Sequence, residues 1–182
     1  MNEKNDNSLI TEILNGKTET YKELIVRYQK PVFNLVLRMI RNYDEAKDIT
    51  QNIFIKAYYN LSTFNFEHKF FSWLYRIGVN ESLNFLGNRK QYDEYYEENF
   101  RTEKSPADIF EKNEESVKIH NAIDMLKEEY RTLIILKHFQ ELSYEEIAEV
   151  VNIPVNKVRS RLFTARNLLK EIMIRKGEFN NE

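Results

Sequence analysis

Residues 143–166 read SYEEIAEVVNIPVNKVRSRLFTAR, and this stretch decides the fold because it predicts two short helices joined by a tight turn. Ser143 is a good N-cap and Glu146 follows three positions on. That is the pattern of a capping box, in which each side chain satisfies the other residue's free backbone N–H. Ile147, Ala148 and Val151 then supply an apolar stripe. Asn152 tolerates the left-handed conformation that ends a helix, Ile153 is the apolar peg of the turn, and Pro154 brings the fixed φ that suits the start of the next helix. On that second helix Val155, Val158, Leu162, Ala165 and Leu169 fall on one side, which leaves Asn156, Lys157, Arg159, Ser160, Phe163 and Thr164 outward or flanking. From Pro154 to Lys170 every charge is basic: Lys157, Arg159, Arg161, Arg166 and Lys170. Lys and Arg neutralise phosphates, Arg reads guanine bidentately, and an aromatic edge packs on a thymine methyl, so the pattern fits a helix in a DNA major groove. A solvated basic face on an ordinary helix pair is the competing reading.

Working outward, the 182 residues suffice for one or two domains, and 42% apolar with 31% charged residues describes a soluble globular chain. The absence of cysteine excludes a disulfide framework and thiolate metal sites, and His68, His120 and His138 are scattered. The opening MNEKNDNSLI has no apolar core and no apolar run approaches membrane-spanning length, so a cytoplasmic protein is expected. A formal charge of -2 conceals segregation. Residues 20–91 hold eleven Lys and Arg against six Asp and Glu, residues 92–116 three against nine, and residues 117–176 eleven against eight. Two basic blocks thus flank an acidic connector. Glycine is sparse and no alternating strand pattern occurs, so the expected fold is all-α: two small helical domains, the second carrying the helix-turn-helix. The expected boundaries are 1–91, an acidic linker over 92–116, 117–176, and a tail from 177 to 182.

In the first block, Tyr21, Leu24, Ile25, Tyr28, Val32, Leu35, Val36, Met39 and Ile40 recur at threes and fours, predicting one long amphipathic helix or a pair bent near Pro31. Asp44 begins the next helix, with Ala46, Ile49, Ile53, Phe54 and Ala57 as its core. Its other face carries Asp44, Glu45, Asp48, Gln51, Asn52 and Lys56. Carboxylates there favour the helix macrodipole and suit a solvated or partner-facing surface better than a cation site. Residues 64–89, FNFEHKFFSWLYRIGVNESLNFLGNR, predict a loop and a helix dense in aromatic and amide groups. Trp73, Arg76, Asn80, Asn84 and Arg89 combine stacking, amide and basic groups as proteins do when they hold unstacked bases, although aromatic residues at this density also build cores.

Along nearly its whole length the chain resembles the extracytoplasmic-function (ECF) sigma factors, small two-domain specificity subunits of bacterial RNA polymerase. Four blocks carry the resemblance: residues 16–28 as an opening helix, DEAKDITQNIFIKAYYNL at 44–61, FFSWLYRIGVNESLNFLGNRK at 70–90, and LSYEEIAEVVNIPVNKVRSRLFTAR at 142–166. The resemblance implies that Asp44, Asp48, Gln51 and Asn52 meet the clamp helices of the polymerase's largest subunit. It implies that a loop with Phe64, Phe66 and Lys69, followed by Trp73, Arg76, Asn80 and Asn84, holds melted minus 10 DNA. It further implies that Arg159, Ser160 and Phe163 read minus 35 duplex, with Asn156 beside them and Lys157, Arg161 and Arg166 near phosphates. Core polymerase and promoter DNA are the implied partners, an anti-sigma factor is a further one, and no cofactor is implied.

Two departures stand out. Asn156-Lys157 replaces the family's usual Gly-Thr, and Leu74 stands where housekeeping sigma factors have a second Trp beside the position of Trp73. A single wedge implies weaker melting and stricter promoter dependence, which a Trp at position 74 is expected to relax. No nucleophile and base pair, Gly-rich phosphate loop or metal cluster suggests an enzyme. The alternative is a free-standing helix-turn-helix regulator that binds duplex DNA without polymerase. It accounts for the C-terminal half and leaves residues 44–89 unexplained.

Overall fold

The first helix, α1 (Asp6–Leu14), arises where the sequence pattern suggested none. Asn5 caps it, accepting the Ser8 N–H at 2.8 Å, and Leu9, Ile10 and Ile13 are buried on one face. A computed structural model of the chain describes residues 5–95 and 114–175, and every regular element among them is helical. The chain turns at Gly16, whose φ of +96° is a conformation that side-chain-bearing residues avoid. A short 3-10 turn, Thr18–Thr20, then leads into α2 (Tyr21–Ile40). The opening helix expected over 16–28 therefore starts at Tyr21 instead.

Helix α2 runs unbroken through Pro31. An interior proline costs about 3 kcal/mol through its missing N–H and ring clash. Burial offsets this, because Leu24, Val32, Leu35, Val36 and Met39 are almost wholly enclosed and each such side chain contributes roughly 1.5–3 kcal/mol. Asp6 binds α1 to α2, accepting from Arg27 and from the Tyr28 hydroxyl at 2.5 Å each. Arg41 ends α2 in the left-handed conformation, and Asn42 caps α3 (Tyr43–Tyr59) by accepting the Glu45 N–H. The expected core of α3 is the observed one: Ala46, Ile49, Ile53, Phe54 and Ala57 are buried. The Tyr21 hydroxyl donates to the Phe54 carbonyl at 2.7 Å and ties α2 to α3. A loop containing the 3-10 turn Leu61–Thr63 leads to α4 (Phe70–Tyr95), which packs on both α2 and α3.

The acidic linker expected over 92–116 falls largely outside the described residues. Beyond it come α5 (Glu114–Asp124), α6 (Glu128–His138), α7 (Tyr144–Val151) and α8 (Val155–Arg175). Helix α6 lies between α8 and α2, which explains why five consecutive residues, Thr132 to Leu136, are all buried. Helix α7 is covered by both α8 and α4. That double cover shifts its buried stripe to Ile147 and Val150 and leaves Ala148 and Val151 half-buried, a correction to the stripe read from sequence. Among the described residues no helix is long and apolar enough to cross a membrane.

Candidate nucleic-acid interface

The turn between α7 and α8 forms as its residues dictate. Ser143 and Glu146 exchange both capping-box bonds, at 3.1 and 2.9 Å. Asn152 takes φ 53° and ψ 48°, and the Ile153 N–H then closes back on the Ala148 carbonyl at 3.2 Å. Pro154 precedes α8, which buries Val158, Leu162, Ala165 and Met173, while Val155 and Leu169 are half-buried.

The residues expected to face duplex DNA share the surface of α8 away from that stripe. Asn156, Lys157, Arg159, Ser160, Phe163 and Arg166 are exposed and Arg161 is half-exposed; the Phe163 ring is 65% accessible although large and apolar. Ser160 and Thr164 each donate to a carbonyl one turn back. Arg159 lies 3.6 Å from Glu145 and Arg161 3.3 Å from Glu129, exposed pairs of the kind that contribute at most about 1 kcal/mol.

One residue of this surface was missed in the sequence. Tyr144, directly after the N-cap, gathers three cations: Arg166 donates to its hydroxyl at 3.5 Å, and Lys137 and Arg159 lie 5.1 and 5.7 Å from its ring centre. The Arg166 hydrogen bond and charge hold the phenol below its ordinary pKa. His138 nearby is also lowered, chiefly by burial and then by Arg166 and Lys137. An aromatic residue at the first position of a capped helix was the available signal.

In the N-terminal unit, Phe64 is only 5% exposed and lies under the loop. Its ring is 5.7 Å from those of Phe70 and Trp73 and 5.3 Å from Phe66, which is 44% exposed. Phe64 thus supports the loop from beneath, in contrast to the direct DNA contact expected of it. Asn65 accepts the Glu67 N–H at 3.0 Å and shapes the tip. Trp73 is half-buried, and Asn80 and Asn84 are exposed one turn apart on α4. Lys69 is 65% exposed but donates to Glu146 at 2.8 Å, and Arg76 donates to the Glu149 carbonyl through both Nε and Nη2. The Lys69–Glu146 hydrogen bond is the main reason the Lys69 ammonium is raised and the Glu146 carboxyl lowered from their ordinary values. Leu74 is wholly buried, so a Trp there would overpack the core instead of presenting a second wedge.

On α3, Asp44, Asp48, Gln51 and Asn52 are all exposed. The same stripe continues into Ile55 and Tyr59, 53% and 78% exposed, an apolar extension that sequence reading did not mark because isolated apolar residues on a helix resemble core. Glu45 is turned aside toward Arg89, at 3.7 Å. Among the described residues no group of three potential metal ligands converges.

Two helical units follow in this order, one with an aromatic and amide face and one with a capped helix-turn-helix. Models of Sigma-70 region 2 and of Sigma-70, region 4 match residues 24–92 and 116–169. The chain is 32% identical to the RNA polymerase sigma-H factor of Pseudomonas aeruginosa, with 95% of this chain and 96% of that one covered. It is 34% identical to the ECF RNA polymerase sigma factor SigW of Bacillus subtilis (89% and 93% covered) and 35% identical to the ECF RNA polymerase sigma-E factor of Escherichia coli K12 (90% and 92%). The chain belongs to the ECF family of RNA polymerase sigma factors. Its fold is similar to that of CnrH in complex with the cytosolic domain of CnrY, at a TM-score of 0.71 and 21% identity over 92% of this chain and 96% of that one. It is also similar to the sigma factor RpoE in complex with the anti-sigma factor NepR from Bartonella quintana, at 0.68 and 21% over 84% and 96%.

Proposed function

We propose that this chain binds core RNA polymerase and directs promoter-specific initiation, α8 reading minus 35 duplex and α4 with its preceding loop holding melted minus 10 DNA. The single observation that carries this reading is the exposed stripe on α3, acidic and amide at Asp44, Asp48, Gln51 and Asn52 and apolar at Ile55 and Tyr59. A free-standing DNA regulator has no use for it, whereas a protein that must dock on a polymerase does.

Each contact has a physical role. Arg159, Ser160 and Phe163 present a guanidinium, a hydroxyl and an aromatic edge to base edges, while Asn156, Lys157, Arg161 and Arg166 meet the backbone. Tyr144 is a positioning residue that keeps Arg159 and Arg166 on the DNA side of the helix pair. On α4, Trp73 stacks, Asn80 and Asn84 offer amides to exposed base edges, and Lys69 and Arg76 take phosphates. The flipped bases captured there offset the few kcal/mol that unstacking costs, roughly. The contribution is differential binding with no covalent step. The family resemblance adds an anti-sigma protein as a further partner.

Run-off transcription from a promoter library, with core polymerase alone or with this protein, tests the reading. Starts that appear only with the protein are expected. Sequence-specific duplex binding without polymerase-dependent starts would replace the proposal with the free-standing regulator.

A further inference from the structure

We propose that Asp6, in the first turn of α1, is a positioning residue for the melted-DNA seat: acting through Tyr28 and Phe70, it sets the tilt of Trp73 and of Phe64, the ring beneath the loop. This rests on the minus 10 reading above.

The path is short and every step of it is a contact. Asp6 Oδ1 accepts from Arg27 and its Oδ2 accepts from the Tyr28 hydroxyl, both at 2.5 Å, and the side chain is only 22% exposed. Arg27 balances the charge of the carboxylate, so Tyr28 donates to an anionic acceptor, and such bonds are roughly twice as strong as neutral ones. Burial first and the Asp6 bond second hold the phenol above its ordinary pKa, so the hydroxyl keeps its proton for donation. The Tyr28 ring meets Phe70 edge-on, with 5.5 Å between ring centres and 64° between planes. Phe70 is 2% exposed and lies 5.7 Å from both Phe64 and Trp73. Rings packed at interior density have no slack, so a Tyr28 released from Asp6 passes its displacement to the next rings.

Helix α1 bears on the seat from a second side. It packs on the 3-10 turn Leu61–Thr63, from which the loop starts, and Leu61 there is 2% exposed. The loop 64–69 is thus suspended between that turn and Phe70, and α1 supports both ends. Within the loop, the Glu67 N–H donates to Asn65 Oδ1 and the His68 N–H to the Asn65 carbonyl, both at 3.0 Å, which shapes the tip without fixing its ends. A loop site keeps its productive geometry only where packing and hydrogen bonds lock the side chains that support it. Asp6 and Tyr28 supply that lock at a distance from the strand.

Trp73 is the only tryptophan in the chain, so its fluorescence reports on the seat alone. The test uses Tyr28→Phe in the full chain, which deletes the hydroxyl and leaves the ring on Phe70. The expected result is a shifted Trp73 emission maximum and, in holoenzyme formed with core polymerase, about threefold to tenfold weaker binding of a fluorescein-labelled non-template oligonucleotide from a promoter found by run-off. Binding of the same holoenzyme to minus 35 duplex should not change. Asp6→Asn, which leaves a neutral acceptor, should give a smaller loss of the same kind and covers a Tyr28→Phe chain that fails to fold. The double variant should bind no more weakly than Tyr28→Phe alone, because both changes act through one bond. Ile13→Val trims a buried methyl from the other end of α1 and separates positioning from stability. It should lower the thermal midpoint and leave emission and oligonucleotide affinity at wild-type values. A lower midpoint with unchanged emission and affinity in Tyr28→Phe and Asp6→Asn, or a loss of affinity in Ile13→Val equal to theirs, overturns the positioning. A wild-type holoenzyme that does not bind the oligonucleotide sinks the minus 10 reading itself, and the role of Asp6 with it.

Discussion

The two surfaces proposed to meet DNA are built alike and held differently. On α8 the cations lie outward, Arg159 and Arg161 beside the exposed carboxylates of Glu145 and Glu129 and Arg166 against the Tyr144 hydroxyl. On α4 and the loop before it, Arg76 and Lys69 bond to α7 of the same chain, and the aromatic groups rest on a buried ring, Phe64. A duplex presents its edges without rearrangement, so its reader can be finished in advance. A single strand must first be made before its seat can be filled.

The comparison breaks most severely if the aromatic floor is removed. Phe70 is 2% exposed and packs on Tyr28, Phe64 and Trp73, so Phe70→Ala should cost about 3–5 kcal/mol, seen as a large fall in the denaturant midpoint. Minus 10 capture should fail with it.

The duplex reader should respond in a different currency. Arg159→Ala is expected to cost about 1–3 kcal/mol of discrimination at one base position of the minus 35 element, whereas Lys157→Ala should weaken all sequences evenly and reduce the salt slope by about one. Competition binding with single-base variants of the element, repeated at several salt concentrations, separates the two.

Acid sharpens the contrast through one carboxylate. Glu146 is held below its ordinary value, first by the Lys69 hydrogen bond and then by the Ser143 N–H. A depressed carboxyl contributes stability that is complete above its unfolded value and is lost as pH falls through the folded one. The thermal midpoint should therefore hold at neutral pH and begin to fall as pH drops below about 4.5. Glu146→Gln should start from a lower midpoint and show less of that fall.

The smallest effect expected is a gain. Gly78 lies inside α4, and a Cβ there would meet Leu35 and Ile53 at 3.5 and 3.7 Å, ordinary contact distances. Gly78→Ala should stabilise the N-terminal unit by about 0.5–1 kcal/mol in thermal unfolding, leaving the affinity of α8 for duplex unchanged.

Much of this was legible in the sequence where neighbours along the chain decide the outcome. The capping box at Ser143, the left-handed Asn152, the stripe of α8 and the core of α3 depend on local spacing. What lay beyond reading depends on what packs from elsewhere. Phe64 is buried because α4 places Phe70 and Trp73 against it, and Val150 is buried because α4 covers a second side of α7. Tyr144 matters through cations drawn from α6 and α8, and the seam between Lys69 and Glu146 joins residues 77 positions apart. Helix α1 was overlooked because its apolar residues, Leu9, Ile10 and Ile13, are few and set among polar ones.

Glu146 serves two structures at once, completing the cap of α7 and holding Lys69. A substitution at this residue that releases Lys69 therefore also frays the first helix of the duplex reader, whereas one at Glu149 leaves that cap in place.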